Sequence, residues 1–209
     1  MQVIRKSSFT PTPWKNGGGI THEALRVPAN ANAFRWRVSV AEIDAPGPFS
    51  EFAEYNRKMV LLQGSGVRLT FDGGQQTYLR NVGDMAEFDG AIAAECALLS
   101  GPCVDLNLMV SKSMKGVRAW VERLREPRIL QPPQATLLAF AISGTVSVNI
   151  ENRAPTSLND WDLAVVSPDD RGAVGPAVLD ESAAPGEPAA AGDSAAPLVF
   201  FAALDDNPH

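Results

Sequence analysis

Short runs of alternating apolar and polar residues, broken by glycine and proline roughly every 8 to 12 residues, dominate the chain. The clearest is Phe34 to Ile43, where Phe34, Trp36, Val38 and Val40 fall on one face and Arg35, Arg37, Ser39 and Ala41 on the other. Further short strands are predicted at Gln2 to Lys6, Ile20 to Val27, Met59 to Leu62, Val67 to Phe71, Thr77 to Leu79, Asp84 to Phe88, Ala94 to Leu99 and Cys103 to Val110. Pro28 to Asn32 reads as a loop, and Leu198 to Leu204 as a strand that closes a sheet. One segment fits two periods. Val117, Trp120, Val121 and Leu124 have helical spacing, while Val117, Ala119 and Val121 alternate; the all-β surroundings favour a strand. The expected fold class is therefore all-β, of sandwich or barrel type.

The second half resembles a degraded copy of the first. Ala139 to Ile150, with Gly144 at its corner, parallels Val60 to Phe71 with Gly64 and Gly66, and Leu158 to Val165 parallels Leu79 to Glu87. An offset of about 78 to 80 residues in both stretches points to duplication and two small β-barrels, expected at residues 1–115 and 116–209. The later copy has no glycine run, no paired arginines and no polar strand face, so a structural role is expected for it. Residues 172–197 are rich in alanine, proline and glycine and predict a mobile loop.

Candidate chemistry sits in the first half. Pro13-Trp14-Lys15-Asn16-Gly17-Gly18-Gly19 places a cation, an amide and an indole beside three glycines, with backbone N–H groups as further donors. It reads either as a holder of something negative or carbonyl-like, or as a tight surface turn with an exposed lysine. It has no nucleotide-binding spacing. Arg37 and Ser39 on an inward strand face would be costly in a dry core, so that face meets solvent or lines a polar cavity. Asp105, Asn107 and Met109 also share a face. A buried Asp105 would need a cation, for which Arg37 and Arg57 are the candidates, and it serves either to hold an arginine or to meet a ligand.

Composition narrows the function classes. The chain has 209 residues, 45% hydrophobic and 20% charged, with a net charge of -6, which argues against a sequence-independent grip on nucleic acid. No run approaches the roughly 18 apolar residues of a membrane span, and Met1 to Ser8 lacks the apolar core of a signal peptide. A cytoplasmic protein with no membrane partner is expected, and Cys96 and Cys103 are expected to be reduced and buried. With only His22 and His209, a histidine-rich metal site has too few ligands, so neither a metal nor another cofactor is expected. The same scarcity argues against a Ser-His-Asp mechanism.

The glycine turn, Phe34 to Ala41, Gly47-Pro48-Phe49-Ser50-Glu51-Phe52, Arg57 before its leucine-rich strand, Gly64-Ser65-Gly66 and Gly101 to Met109 together resemble the HutD/Ves family, over roughly residues 11–110. The resemblance implies a bicupin, two cupin-like double-stranded β-helix or jelly-roll barrels in one chain, linked in bacteria to histidine utilisation. It implies binding of a small acidic or formylated metabolite that moderates pathway expression, without an established enzymatic activity. The sequence departs from the family pattern at Ala53-Glu54, Asn56 and His22. In a cupin the inner sheet face lines the barrel mouth, so the expected ligand site comprises Trp14, Lys15, Asn16, Gly17, Gly18, Trp36, Arg37, Ser39, Phe49, Arg57, Asp105 and Asn107. Trp36 and Phe49 would be its apolar walls. The expected function is metal-free binding of a small carboxylate such as N-formylglutamate or urocanate. One alternative is a metal-independent isomerase or hydrolase with Glu51, His22 or Asp105 as base; another is a scaffold for a partner protein. A homodimer is compatible with each.

Overall fold

Alternation along Trp36–Ile43 and along Cys103–Ser111 makes each a two-faced strand, and antiparallel pairing of the two puts like faces together. The computed structural model describes residues 1–29, 33–130, 135–177 and 196–205. Among these residues there are nineteen strands and one 3-10 turn, and no helix long and apolar enough to cross a membrane. The chain divides into two units, one of Ser7–Lys115 and one of Met1–Lys6 with Gly116–His209.

Strand β1 (Gln2–Ile4) belongs to the second unit. The first unit holds β2 (Thr10–Pro13), β3 (Gly19–Val27), β4 (Trp36–Ile43), β5 (Gly47–Pro48), β6 (Tyr55–Gln63), β7 (Val67–Phe71), β8 (Gln76–Leu79), β9 (Met85–Asp89), β10 (Ala94–Leu98) and β11 (Cys103–Ser111). They form a six-stranded sheet, β2-β3-β4-β11-β6-β9, and a four-stranded sheet, β5-β10-β7-β8. Ile43, Met59, Leu61 and Cys103 from the larger sheet pack with Val67, Leu69, Leu79 and Cys96 from the smaller, which closes one end of a cupin-type barrel. Both cysteines are free and buried there, and burial pushes the Cys96 thiol up to about 12, so it packs as a small apolar group.

The second unit continues with β12 (Arg118–Arg123), β13 (Arg128–Leu130), β14 (Ala135–Ser143), β15 (Val146–Ile150), β16 (Thr156–Leu158), β17 (Leu163–Val166), β18 (Gly172–Pro176) and β19 (Leu198–Asp205). Its sheets run β1-β17-β14-β19-β12 and β13-β18-β15-β16. Mapping β4 to β12, β5 to β13, β6 to β14 and so on to β11 and β19 reproduces the order of the first unit. The fold is a bicupin. The segment of mixed periodicity is β12.

Three expectations change. Gln2–Ile4 pairs with Leu163–Val165, so the amino-terminal strand does not flank the glycine turn; it extends the sheet of the second unit as its edge. Gly172–Pro176, expected as the start of a loop, is β18, held between β13 and β15 because backbone pairing does not depend on side-chain size. The rest of the expected loop lies largely outside the described residues, as do 30–32 of the Pro28 to Asn32 loop. Pro13, expected as the start of the turn, ends the strand Thr10–Pro13 at the sheet edge, where Pro11 and Pro13 forfeit no ladder bond from an inner position.

Candidate functional site

Register across the six-stranded sheet builds the site row by row. Arg26, Arg37, Met109, Arg57 and Phe88 lie side by side on β3, β4, β11, β6 and β9. The next inward row is Glu23, Ser39, Asn107, Met59 and Ala86, and the next is Thr12, Thr21, Ala41, Asp105 and Leu61. Polar members of these rows, with Trp14, Lys15 and Asn16 from the glycine turn and Pro48, Phe49, Ser50 and Phe52 from the segment between β4 and β6, surround a cavity of about 610 Å³. That is within the usual range for a small-molecule pocket.

Arg57 is its deepest cation. Only 7% exposed, it has its guanidinium within 5.0 Å of the Phe88 ring centroid, 5.2 Å of Phe49 and 5.8 Å of Phe52. Its Nε donates to Asn107 Oδ1 at 3.4 Å and one terminal nitrogen to the Ser50 carbonyl at 3.4 Å, both long. Among the described residues no carboxylate pairs with it directly. Burial lowers its pKa to about 10, opposed by Asp105 and assisted by Arg37, so it stays charged at neutral pH. Arg37 donates to the Met109 sulfur at 3.0 Å and stands over Phe34 and Phe52; burial lowers its pKa too. Arg26, by contrast, is paired with Glu23 at 2.6 Å.

Asp105 is buried between these strands. Desolvation raises its pKa to about 7 against the pull of Arg57 and of a hydrogen bond from Asn107. Among the described residues four buried side-chain polar atoms lack a hydrogen-bond partner, and three belong to this cavity: Arg37 Nε, Ser39 Oγ and Asp105 Oδ1. Buried polar groups are ordinarily satisfied, so a cluster of orphans on one wall marks a place prepared for something polar.

The structure brings together Trp14, Lys15, Asn16, Arg37, Ser39, Phe49, Arg57, Asp105 and Asn107 of the expected residues. It does not bring in the other three. Trp36 is on the opposite face of β4 from Arg37 and is buried there, as strand alternation requires. Gly17 and Gly18 build the turn without lining the cavity, since Gly17 N–H bonds the Trp14 carbonyl and Gly18 N–H bonds Asn16 Oδ1. The turn therefore aims Trp14, whose Nε1 donates to Thr21 Oγ1 at 2.7 Å and whose ring meets Phe49 edge-on. Lys15 and Asn16 stay exposed at the mouth.

Thr12, Thr21, Glu23, Arg26, Pro48, Ser50 and Phe52 were not anticipated as lining residues. Of the candidate bases, Glu51 is exposed and absent from the lining, and His22 bonds Glu42 at 2.9 Å, paired in register with outward-facing Val40. Only Asp105 faces the cavity. Among the described residues no three His, Cys, Asp or Glu side chains are grouped to hold a metal ion, and the donor set of this cavity suits an anion.

Four of the equivalent positions of the second unit are apolar, while that of Arg37 holds exposed Arg118. Matching registers set Leu137 where Arg57 stands, Val199 for Asp105, Phe201 for Asn107 and Trp120 for Ser39. Trp120 stacks on Phe201 at 5.3 Å, and these residues belong to or pack on one buried cluster.

Residues 6–182 match the profile of the HutD family. An uncharacterised 21.2 kDa protein in the hutC 3' region of Pseudomonas putida is 35% identical over 163 residues, 78% of this chain and 84% of that protein. A conserved protein of unknown function from Pseudomonas aeruginosa PAO1 superposes with a TM-score of 0.82 at 26% identity, over 98% of each chain. HutD from Pseudomonas fluorescens SBW25 superposes with a TM-score of 0.73 at 26% identity, over 97% of this chain and 98% of that one. Oxalate decarboxylase from Lactobacillus farciminis, 11% identical with a TM-score of 0.66 over 100% of this chain and 87% of its own, shares the fold alone.

Proposed function

Because the chain belongs to the HutD family, we propose that its first barrel binds a small metabolite carrying a carboxylate or formyl group, and that this binding modulates histidine utilisation. The observation that carries the reading is a pair of guanidiniums in one cavity, buried Arg57 and half-buried Arg37, neither of which has a direct carboxylate partner among the described residues. Burying a cation as Arg57 is buried costs several kcal/mol unless an anion completes it. A carboxylate lying against Arg57 takes two of its donors at once, and the aromatic walls strengthen that bond by excluding water. Ser39 and Asn107 reach the remaining oxygens, and Lys15 adds a cation at the mouth.

Isothermal titration with N-formylglutamate, urocanate and formate tests this. Saturable heat with at least one of them, weakened about 100-fold or more by Arg57→Gln, is expected. Absence of both heat and thermal shift with all three at millimolar concentration contradicts it.

A second reading has one observation in its favour: Asp105 lines the cavity beside Arg57 and titrates near neutrality, as a general acid–base would. A metal-independent isomerase or hydrolase acting on a small acid would accumulate product in excess of protein and lose that turnover in Asp105→Asn.

A further inference from the structure

We infer that Asp105 serves the site as a proton-bearing donor: when a carboxylate docks on Arg57, Asp105 takes one proton from solvent and offers its O–H to a ligand oxygen. This rests on the reading of the cavity as a carboxylate site and adds the chemistry by which that site reads its ligand.

The geometry argues it as follows. Asp105 does not touch Arg57; Asn107 stands between, accepting from Arg57 Nε at 3.4 Å and bonding Asp105. Asp105 Oδ1 has no partner at all, and neither has Ser39 Oγ on the adjoining strand. A buried carboxylate normally gathers two or three donors. This one has a single amide, so its ionised form is held chiefly by the field of Arg57 across the cavity.

An incoming carboxylate takes over that field and adds a like charge beside Asp105. Two carboxylates sharing one site do not both stay ionised; the one in the drier surroundings keeps the proton. The other charged groups that face Asp105 do not change the outcome. Arg37 on β4 adds positive charge, Glu23 and Arg26 on β3 cancel as a pair, Lys15 is at the exposed mouth, and the Cys96 thiol on β10 is neutral. A protonated Asp105 has an O–H to donate, so a carboxylate or formyl oxygen is an acceptor it can meet.

Affinity is then flat below about pH 7, where Asp105 already carries its proton, and falls up to tenfold per pH unit above it. Calorimetry of the full chain with N-formylglutamate at pH 6 and pH 8, at each pH in two non-phosphate buffers of different ionisation enthalpy that buffer there, counts the protons directly. Uptake approaching one proton per ligand at pH 8 and near zero at pH 6, unchanged in His22→Gln, is expected. Asp105→Asn should bind with no uptake; if it fails to fold, the wild-type proton count still decides. Saturable binding that Arg57→Gln removes, but with no uptake at pH 8 and the same affinity at both pH values, overturns the role of Asp105 and leaves the carboxylate site standing. No binding by any probe overturns both.

Discussion

Arg57 is the side chain around which the others are arranged, and its environment is what supports the proposal that it binds an anion. Three aromatic rings enclose it, two long hydrogen bonds hold it, and no direct ion pair neutralises it. Asp105 carries a stability signature of its own. Its folded pKa lies above its unfolded value of 3.8, so the folded state holds the extra proton, and stability falls as pH rises from about 4 to about 7 and is level beyond. Asp105→Asn should therefore stabilise the protein above pH 7, by on the order of 4 kcal/mol, with little gain near pH 4, as urea unfolding at the two pH values would show. Strand alternation made Arg37, Ser39, Asp105 and Asn107 legible as inward residues. Trp36 broke the same rule and should not have been placed with them. Glu23 and Arg26 escaped because a register shift between Glu23 and Leu25 sets residues three apart on one face, which simple alternation does not anticipate.

Among the elements, the hairpin of β2 and β3 determines where Trp14 closes the cavity. Gly17 sits at φ 71° in the turn, and Gly19 passes so near β4 that an added Cβ would lie 2.1 Å from the Glu42 carbonyl oxygen. Gly19→Ala should cost on the order of 2 kcal/mol in chemical denaturation and weaken ligand binding as Trp14 is displaced. Triple glycine in the sequence marked a special turn, but the identity of its donors was misleading, because the turn consumes the N–H groups of Gly17 and Gly18 internally. Edge strands were the least legible elements. Proline in β2, and two or three residues in β5 and β13, carry too little pattern to register, and their pairing is set by neighbours distant in sequence.

At the scale of the whole chain, duplication was legible through the offset from β6–β9 to β14–β17, while β11 and β19 fell out of step because residues are inserted after β18. The pairing of β1 with β17 depends on a contact between the two ends of the sequence and leaves no local signal. The two barrels differ in lining: polar rows are found in the first, and Leu137, Trp120, Val199 and Phe201 fill matching positions in the second. Phe201→Ala should cost about 3–5 kcal/mol, read from the unfolding midpoint, while the affinity of a carboxylate for the first barrel is unchanged. The most direct test of the central claim is a nitrogen-edited NMR titration of the arginine Nε–Hε groups with N-formylglutamate, formate and urocanate. The account predicts that Arg57 and Arg37 shift together and saturably with at least one of these acids while arginines of the second unit stay in place. Saturation that leaves both of those resonances unmoved would contradict it.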